Sequence, residues 1–454
     1  MKKSTRRWKN LRYWLFFGYL EWMHDRILYR CTHLLHPERI PHDGQATVIV
    51  ANHQNALGDP LALEFAFRSR VVNIFARGDI FANKVVGAFL RSLYILPAYR
   101  MRTDGYEQLG RNYESFDEAH QRLLGGETVA IFPEGTNQDR HYLGDFSQGY
   151  LRMAFGAAEK SGFEKEIFIL PTAIHYSNYF HMQADVLVSC GIPVSLKPYY
   201  ELYKTKPRTA QREVNHLVRE QVDSLMLNIT DLEHYDAIDA IRDTYGVHYA
   251  RSLGLKPRSL PQKLEADKRL VAALDLLRAS DIETSDSIYA DAINLKNTME
   301  HYKVRDWCID VRYPWLWRLL VGLGLLLLSP IFLFALIPNV IAFYAPRKLV
   351  DKLAAQGPKF KMFASGIQFI LNSIIVLPIC YTAVFLIDLF SFNWIIALVH
   401  LLALPWLGIF AWHYRLAWIK WRGLGRYLKA FKHTDMRNAV EKRRDLWRRL
   451  DNIL

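Results

Sequence analysis

Three long apolar segments in the last third of the chain constrain its fold more than any other feature of the sequence. They occupy residues 316–343, 363–387 and 394–412. A helix needs about 20 apolar residues to cross the hydrocarbon core of a bilayer, and the last two segments meet that length. Pro330 and Pro338 interrupt the first segment, so a kinked span and a re-entrant hairpin are both open there. The sequence therefore predicts a hydrophobic membrane region over residues 313–414.

Positive charge is concentrated beside these segments. The tail, residues 415–454, has 12 Lys and Arg against 4 Asp and Glu, in a chain of net charge +13, and the loop before the second segment is also basic. Cytoplasmic segments of membrane proteins carry such an excess. We therefore expect the loop, the tail and the N-terminal half on the cytoplasmic face of the inner (cell) membrane. All three parts lie on the same face if the last two apolar segments cross the membrane and the first is a re-entrant hairpin.

Both ends of the chain have the composition of membrane-surface segments. Residues 1–45 combine Lys and Arg with Trp and Tyr, which suits the headgroup boundary, and no small-residue cleavage site follows their short apolar run. The tail has a basic amphipathic pattern suited to anionic lipid. The charge balance favours phosphate-bearing partners. No nucleic-acid reading motif accompanies it, so we expect an anionic membrane and no nucleic acid.

The N-terminal half alternates between two hydrophobic periods. Strands are predicted at 47–51, 71–76, 94–99, 128–132, 167–175 and 185–190, and helices at 60–70, 81–93, 106–124 and 150–161. This alternation predicts an α/β fold, a mostly parallel sheet flanked by helices, over residues 46–205. A polar helical region without an assigned role follows at 206–312, before the membrane region. Ligands of such sheets bind at the carboxyl ends of the strands.

One predicted strand ends in the stretch NHQNALGDP, which places His53 and Asp59 on either side of a turn. Six positions would rotate them about 240° apart on a helix, so the segment must turn for the two to meet. Gly58 permits the turn, and Asp59-Pro60 fits an N-cap followed by a proline at the first helical position. The Asp59 carboxylate would then orient one imidazole nitrogen and leave the other as a base. Alternatively, Asp59 is only a helix cap and His53 only a loop residue.

Three further stretches carry candidate binding residues. In FPEGT, Glu134 and Thr136 offer hydrogen-bonding groups and Gly135 allows a close backbone approach, although an ordinary turn has the same composition. In LPAYRMR, the side chains of Arg100 and Arg102 suit a phosphate, with a solvated loop as the alternative. In ILPTAIHY, Pro171 interrupts an apolar strand that we expect to form a wall of the site. His175 and His181 are interpreted as structural.

In this order, the stretches NHQNALGD, LPAYR, FPEGT and ILPTAI resemble the four motifs of the glycerolipid acyltransferase family, which includes bacterial glycerol-3-phosphate and 1-acylglycerol-3-phosphate acyltransferases. Many members have four residues between His and Asp. This chain has five, which is similar to the fungal glycerol-3-phosphate acyltransferases. Many members also have an arginine where Asn137 stands here, so Arg140 or Arg102 would have to replace that phosphate contact.

The resemblance implies a role for each motif. His53 would be the general base, oriented by Asp59. Arg100 would bind the phosphate of the acceptor, Glu134 and Gly135 its glycerol part, and Pro171 would mark the fourth motif. The partners implied are an acyl thioester donor and a glycerol phosphate or lysophospholipid acceptor. Acyl-CoA or acyl-carrier protein would be a co-substrate, and neither a cofactor nor a metal is expected.

The chemistry of acyl transfer to a hydroxyl is consistent with a general base and with the absence of a nucleophilic side chain. Transfer of an acyl group to an alcohol needs a general base, because the pKa of the hydroxyl is far above neutrality. The sequence contains no Gly-x-Ser-x-Gly elbow and no cysteine-centred site, so direct attack by the acceptor is expected, without an acyl-enzyme. Two alternatives stay open: a phospholipid-remodelling transacylase resembling tafazzin, and a non-catalytic membrane-anchored lipid-binding protein.

Overall fold

The computed structural model describes residues 11–68, 70–98, 116–135, 140–179, 182–355, 366 and 368–454. The chain divides into two compact units. The first comprises Met1–Asn228 with Ala354–Ile367, and the second comprises Ile229–Leu353 with Gln368–Leu454.

A sheet of eight described strands forms the centre of the first unit. The strands are β1 (Tyr29–Leu35), β2 (Ala46–Ala51), β3 (Val72–Arg77), β4 (Ile95–Ala98), β5 (Thr128–Ile131), β6 (Ile167–Tyr176), β7 (Ala184–Cys190) and β8 (Val194–Ser195), in the order β1-β7-β6-β2-β5-β3-β4 with β8 beside β6. Pairings are parallel except those of β6 with β7 and β8. All six residues of β2 are buried, as expected for a central strand covered on both faces.

Helices cover the two faces of this sheet. The described helices of the unit are α1 (Leu11–Trp22), α2 (Gly58–Ala66), α3 (Lys84–Ser92), α4 (Gly149–Lys160), α5 (Tyr200–Thr205) and α6 (Pro207–Leu225). One core joins the sheet to α4 and α6, through residues such as Phe155 and Val218. The other joins it to α2, through Ala62 and Leu63. The predicted fold class, a mostly parallel sheet flanked by helices, is confirmed.

Two elements of the first unit lie outside the α/β domain that the sequence predicted at residues 46–205. Residues 29–35 were expected in an N-terminal membrane-surface segment, yet they form the edge strand β1, which pairs in parallel with β7. Helix α6 was expected in the region of unassigned role. Its apolar positions Ala210, Val214, Val218 and Val222 are fully buried in the sheet core, because they recur every four residues and form one continuous face.

The second unit is helical in its described part. It contains α7 (Tyr235–Thr244), α8 (Gly246–Ser252), α9 (Leu260–Ser280), α10 (Ile282–His301), α11 (Pro314–Ala354), α12 (Leu377–Ser391), α13 (Trp394–Ala430) and α14 (Thr434–Ile453). The tail helix α14 packs on α10 through a shared hydrophobic cluster and through an ion pair between Arg449 and Asp291. The Arg443 guanidinium donates two hydrogen bonds of 2.6 Å to the Asp306 carboxylate, and Tyr245 donates one of 2.7 Å to Asp451.

Three helical segments of this unit are long and apolar enough to cross a membrane: Pro314–Ala342, Gln368–Ser391 and Trp394–Ala430. The re-entrant hairpin expected for the first is wrong, because Pro314–Ala354 is one continuous helix through Pro330, Pro338 and Pro346. A proline removes one backbone hydrogen bond, which apolar helices tolerate where neighbouring groups satisfy the freed carbonyl. The prolines therefore interrupt the hydrogen-bond ladder without reversing the chain.

Candidate active site

His53 and Asp59 meet directly after the carboxyl end of β2. The imidazole Nδ1 of His53 lies 2.9 Å from Oδ2 of Asp59. Because an ionised carboxylate only accepts hydrogen bonds, Nδ1 carries the proton and Nε2 keeps its lone pair. The Asp59 side chain is 1% exposed and that of His53 is 14% exposed. The carboxylate of Asp59 is therefore shielded from solvent, whereas the imidazole of His53 is partly exposed at the surface of the unit.

The turn between these residues is built around the Asp59 carboxylate. Its Oδ2 also accepts hydrogen bonds from the backbone amides of Gln54 at 2.9 Å and Asn55 at 2.8 Å. The expected N-cap role of Asp59 is wrong, since α2 begins at Gly58 and Asp59 binds amides that precede the helix. A Cβ at Gly58 would lie 2.7 Å from the Asn55 side chain. Glycine is thus needed there for close approach.

A tyrosine hydroxyl donates a further hydrogen bond to the carboxylate of Asp59. The hydroxyl of Tyr176, at the end of β6, donates a hydrogen bond of 2.8 Å to Oδ1 of Asp59. Burial, and then the charge of Asp59, raise the pKa of Tyr176 well above its ordinary value, so this group stays a donor. Tyr29 packs on Tyr176 with ring centroids 5.8 Å apart. Asp59 therefore accepts four hydrogen bonds: two from backbone amides, one from Tyr176 and one from His53.

Glu134 connects the turn to the segment after β5. Its Oε1 accepts a hydrogen bond of 2.7 Å from the backbone amide of His53, and its Oε2 accepts one of 3.0 Å from the amide of Gly144. Burial raises the pKa of Glu134 to about 7, although both backbone donors act to lower it. Both carboxylate oxygens thus bind backbone amides of the protein itself, whereas the family resemblance implied that Glu134 contacts the glycerol part of the acceptor.

Of the remaining predicted site residues, the structure describes Gly135 and Pro171. Gly135 follows Glu134 with a φ of +70°, in the left-handed region that favours glycine, and a Cβ built there would meet no atom within 4 Å. Pro171 is buried within β6, where it pairs in register with Val50. Arg100, Arg102 and Thr136 lie outside the described residues, as do Asn137 and His181.

Several aromatic and polar groups around the pair were not identified from the sequence. The His53 ring stacks on Phe132, with centroids 4.4 Å apart and planes 22° from parallel. Gln54 accepts a hydrogen bond of 2.6 Å from the Tyr179 hydroxyl and donates one of 3.1 Å to the carbonyl of Arg140. Of these groups, only Phe132 could have been identified from the local sequence, because it directly precedes the Pro-Glu-Gly turn.

Comparison with known proteins identifies a family similarity over the part of the chain that contains this site. A family model described as Acyltransferase matches residues 33–175, the range that contains His53, Asp59, Glu134 and Pro171.

Residues 33–175 are similar to acyltransferase domains.

This match confirms the family resemblance drawn from the four motifs. It also begins within β1, earlier than the predicted boundary at residue 46.

Two relatives show how far the similarity extends. An uncharacterized acyltransferase of Schizosaccharomyces pombe is 26% identical over 161 residues, which are 34% of this chain and 22% of that protein. The chain thus spans about a fifth of the length of that relative. The crystal structure of a 1-acyl-sn-glycerophosphate (LPA) acyltransferase, PlsC, from Thermotoga maritima matches with 19% identity and a TM-score of 0.34, over 50% of this chain and 83% of that one.

Proposed function

We propose that the acyltransferase domain esterifies a hydroxyl of glycerol 3-phosphate or 1-acylglycerol 3-phosphate with a fatty acyl group from a thioester, in phospholipid biosynthesis. The hydrogen bond of 2.9 Å between His53 and Asp59 is the observation that carries this proposal. It leaves Nε2 of His53 as a base that points away from its carboxylate partner. The four motifs and the apolar helices add a phosphate-bearing, membrane-associated acceptor to that chemistry.

The reaction follows from the protonation state of the pair. Nε2 of His53 takes the proton of the acceptor hydroxyl while the hydroxyl oxygen attacks the carbonyl carbon of the thioester. Asp59 stabilises the imidazolium that forms. The tetrahedral intermediate collapses by breaking its carbon–sulfur bond, and the proton passes from His53 to the departing thiolate. The products are an ester and a free thiol, and the imidazole returns to its neutral form.

The other predicted residues take supporting roles in this proposal. Arg100 and Arg102 bind the phosphate of the acceptor, and Gly135 and Thr136 face its glycerol part. Glu134 is a positioning residue, because it holds the backbone amide of His53. The donor is acyl-CoA or acyl-carrier protein as co-substrate. The intact His–Asp pair, with four hydrogen bonds on one buried carboxylate, weighs against a degenerate lipid-binding protein.

We also propose that the acyltransferase domain lies on the cytoplasmic face of the membrane. The charge of the tail supports this proposal: residues 415–454 have 12 Lys and Arg against 4 Asp and Glu, and cytoplasmic segments of membrane proteins carry such an excess.

Product formation with purified protein tests the proposed activity. Glycerol 3-phosphate and 1-acylglycerol 3-phosphate are each combined with acyl-CoA and with acyl-carrier protein, and a phospholipid without a thioester is included as donor. We expect ester formation with at least one phosphate acceptor and one thioester, and none in His53→Ala. Transfer only from the phospholipid would replace this proposal with a remodelling transacylase.

A further inference from the structure

The connection that follows α11 belongs to the first compact unit, together with the sheet. This connection is Ala354–Ile367, and both helical stretches that flank it belong to the second unit. Near its end lies Gly366, which is helical and buried. The candidate span Gln368–Ser391 begins two residues later. A residue next to an apolar helix is therefore packed into the unit that contains His53 and Asp59.

Gly366 lies so close to Leu57 that no larger residue fits. A Cβ built at Gly366 would lie 2.6 Å from Cβ, 3.1 Å from Cγ and 3.2 Å from Cδ2 of Leu57. Carbon atoms in contact are about 3.5–4.0 Å apart, so even one methyl group requires Leu57 to move. Alanine is otherwise favoured over glycine in helices, and the φ of Gly366 is not in the left-handed region. Glycine is thus needed here for close approach.

Leu57 belongs to the turn that brings His53 and Asp59 together. It directly precedes α2, with a φ of −84° and a ψ of −19°. Its side chain is half-buried and is not a member of either core described above. Gly366 therefore covers a side chain of the turn that neither core packs.

The turn has little room to absorb a displacement of Leu57. On the other side of Leu57, a Cβ at Gly58 would lie 2.7 Å from the side chain of Asn55. The amide of Asp59 also donates a hydrogen bond of 3.0 Å to the carbonyl of Asn55. Closely packed interiors transmit strain, so a shift of Leu57 would move the backbone that carries Asp59. A misplacement of about 1 Å can cost about a hundredfold in rate.

We propose that Gly366 is a positioning residue for acyl transfer, because its contact with Leu57 holds the turn that pairs His53 with Asp59. The same contact links the turn, along two residues of chain, to an apolar helix. The catalytic part of this inference rests on the proposed function, whereas the packing of Gly366 on Leu57 does not.

A double-mutant cycle tests the positioning role with full-length protein in nanodiscs. Gly366→Ala should lower kcat at least about tenfold and change KM little. In the background of Leu57→Gly, which leaves no side chain to displace and is tolerated at an N-cap, the same change should cost less than about twofold. The matched control is Gly156→Ala in α4, where a Cβ would lie 2.9 Å from Nε2 of His120. Its kcat should stay within about twofold of the wild type.

Disulfide formation tests the contact without turnover. In a variant without native cysteines, Leu57→Cys/Gly366→Cys should form a disulfide on mild oxidation, detected by mass spectrometry, because the bridged Cβ atoms need a separation of only about 3.5–4.5 Å. Leu57→Cys/Lys165→Cys should form none. Lys165 lies at the opposite end of the sheet, since β2 pairs with β6 from Ala46 and Ile167 onward.

Two results would overturn the proposal: no disulfide above the control, or an equal loss of kcat from Gly366→Ala in both backgrounds. If the wild type forms no ester with any acceptor, the proposed function fails. The disulfide would then still establish the contact between Gly366 and the turn.

Discussion

Tyr176 and Asp59 share a hydrogen bond of 2.8 Å, formed at the carboxylate oxygen that His53 does not use. Both side chains are almost completely buried. The Tyr176 hydroxyl therefore keeps the carboxylate plane in the orientation that holds the imidazole. In the proposed reaction Tyr176 is a positioning residue, since it would act only through Asp59.

Replacing Tyr176 with Phe removes this donor and leaves Oδ1 of Asp59 buried without a partner. We expect kcat to fall about tenfold, because one net hydrogen bond is worth about 0.5–1.5 kcal/mol and the unpaired acceptor adds to that cost. KM should change little.

The matched control for this change is Tyr150→Phe. Tyr150 is also fully buried, and its hydroxyl donates to Asn215 at 2.9 Å, away from the catalytic pair. The Tyr150→Phe variant should lose similar stability without the fall in kcat. Equal kinetic effects in both variants would show that Tyr176 is only a packing residue.

Glu134→Gln tests the electrostatics of the segment after β5. The pKa of Glu134 is raised by burial to about 7, from an ordinary value near 4.5. Between these values the folded protein holds the proton more strongly than the unfolded chain, so the stability from Glu134 is complete below pH 4.5 and declines as pH rises through 7. The free energy of unfolding of the wild type, measured by denaturant titration, should fall relative to Glu134→Gln by about 2–3 kcal/mol between pH 5 and 8. A parallel pH dependence in both proteins would refute the raised pKa.

Arg443→Ala tests the contact of the tail with the helical unit. Arg443 is 3% exposed and pairs with both Asp306 and Asp310. Its removal leaves a half-buried carboxylate unpaired, so we expect a loss of about 3 kcal/mol in unfolding free energy. Arg444→Ala, an exposed neighbour, should cost under about 0.5 kcal/mol. Similar thermal shifts for the two variants would contradict the packing of α14 on the segment that follows α10.

The same packing predicts the membrane topology. In a variant without native cysteines, cysteines introduced at the exposed positions Ser280 and Asn452 should react with an impermeant maleimide from the same side of sealed vesicles. That side should be cytoplasmic because of the charge of the tail. Labelling from opposite sides would mean that an odd number of apolar helices crosses.

Secondary structure in the sheet unit was predictable because its signals are local. The apolar run of β2 and the alternation of strands with helices determine an α/β class without knowledge of long-range pairing. Strand β1 was missed because the stretch YRCTHLL has mixed polarity, typical of an edge, and its pairing partner β7 lies about 150 residues away. For the first apolar segment the hairpin was preferred over the kinked span, because prolines end helices in water more readily than in apolar surroundings, and the structure has one continuous helix α11.

The meeting of His53 and Asp59 was predictable and its surroundings were not. The two residues belong to one short segment, in which Gly58 and the Asp59-Pro60 pair indicated the turn that brings them together. The partners that hold them come from distant strands, with Tyr176 lying 117 residues from Asp59 and Glu134 lying 81 residues from His53. The predicted role of Asp59 as a helix cap was wrong, because a carboxylate that accepts amides before the helix has the same sequence signature as one that caps it.

The acyl-transfer rate of Asp59→Asn is the most direct measurement of the proposed chemistry. The neutral amide cannot stabilise an imidazolium as a carboxylate does. We expect kcat to fall by at least about a hundredfold, the lower end of general-base contributions, with binding of the acceptor retained and His53→Ala similarly impaired. A rate near that of the wild type in Asp59→Asn would contradict general-base catalysis by His53.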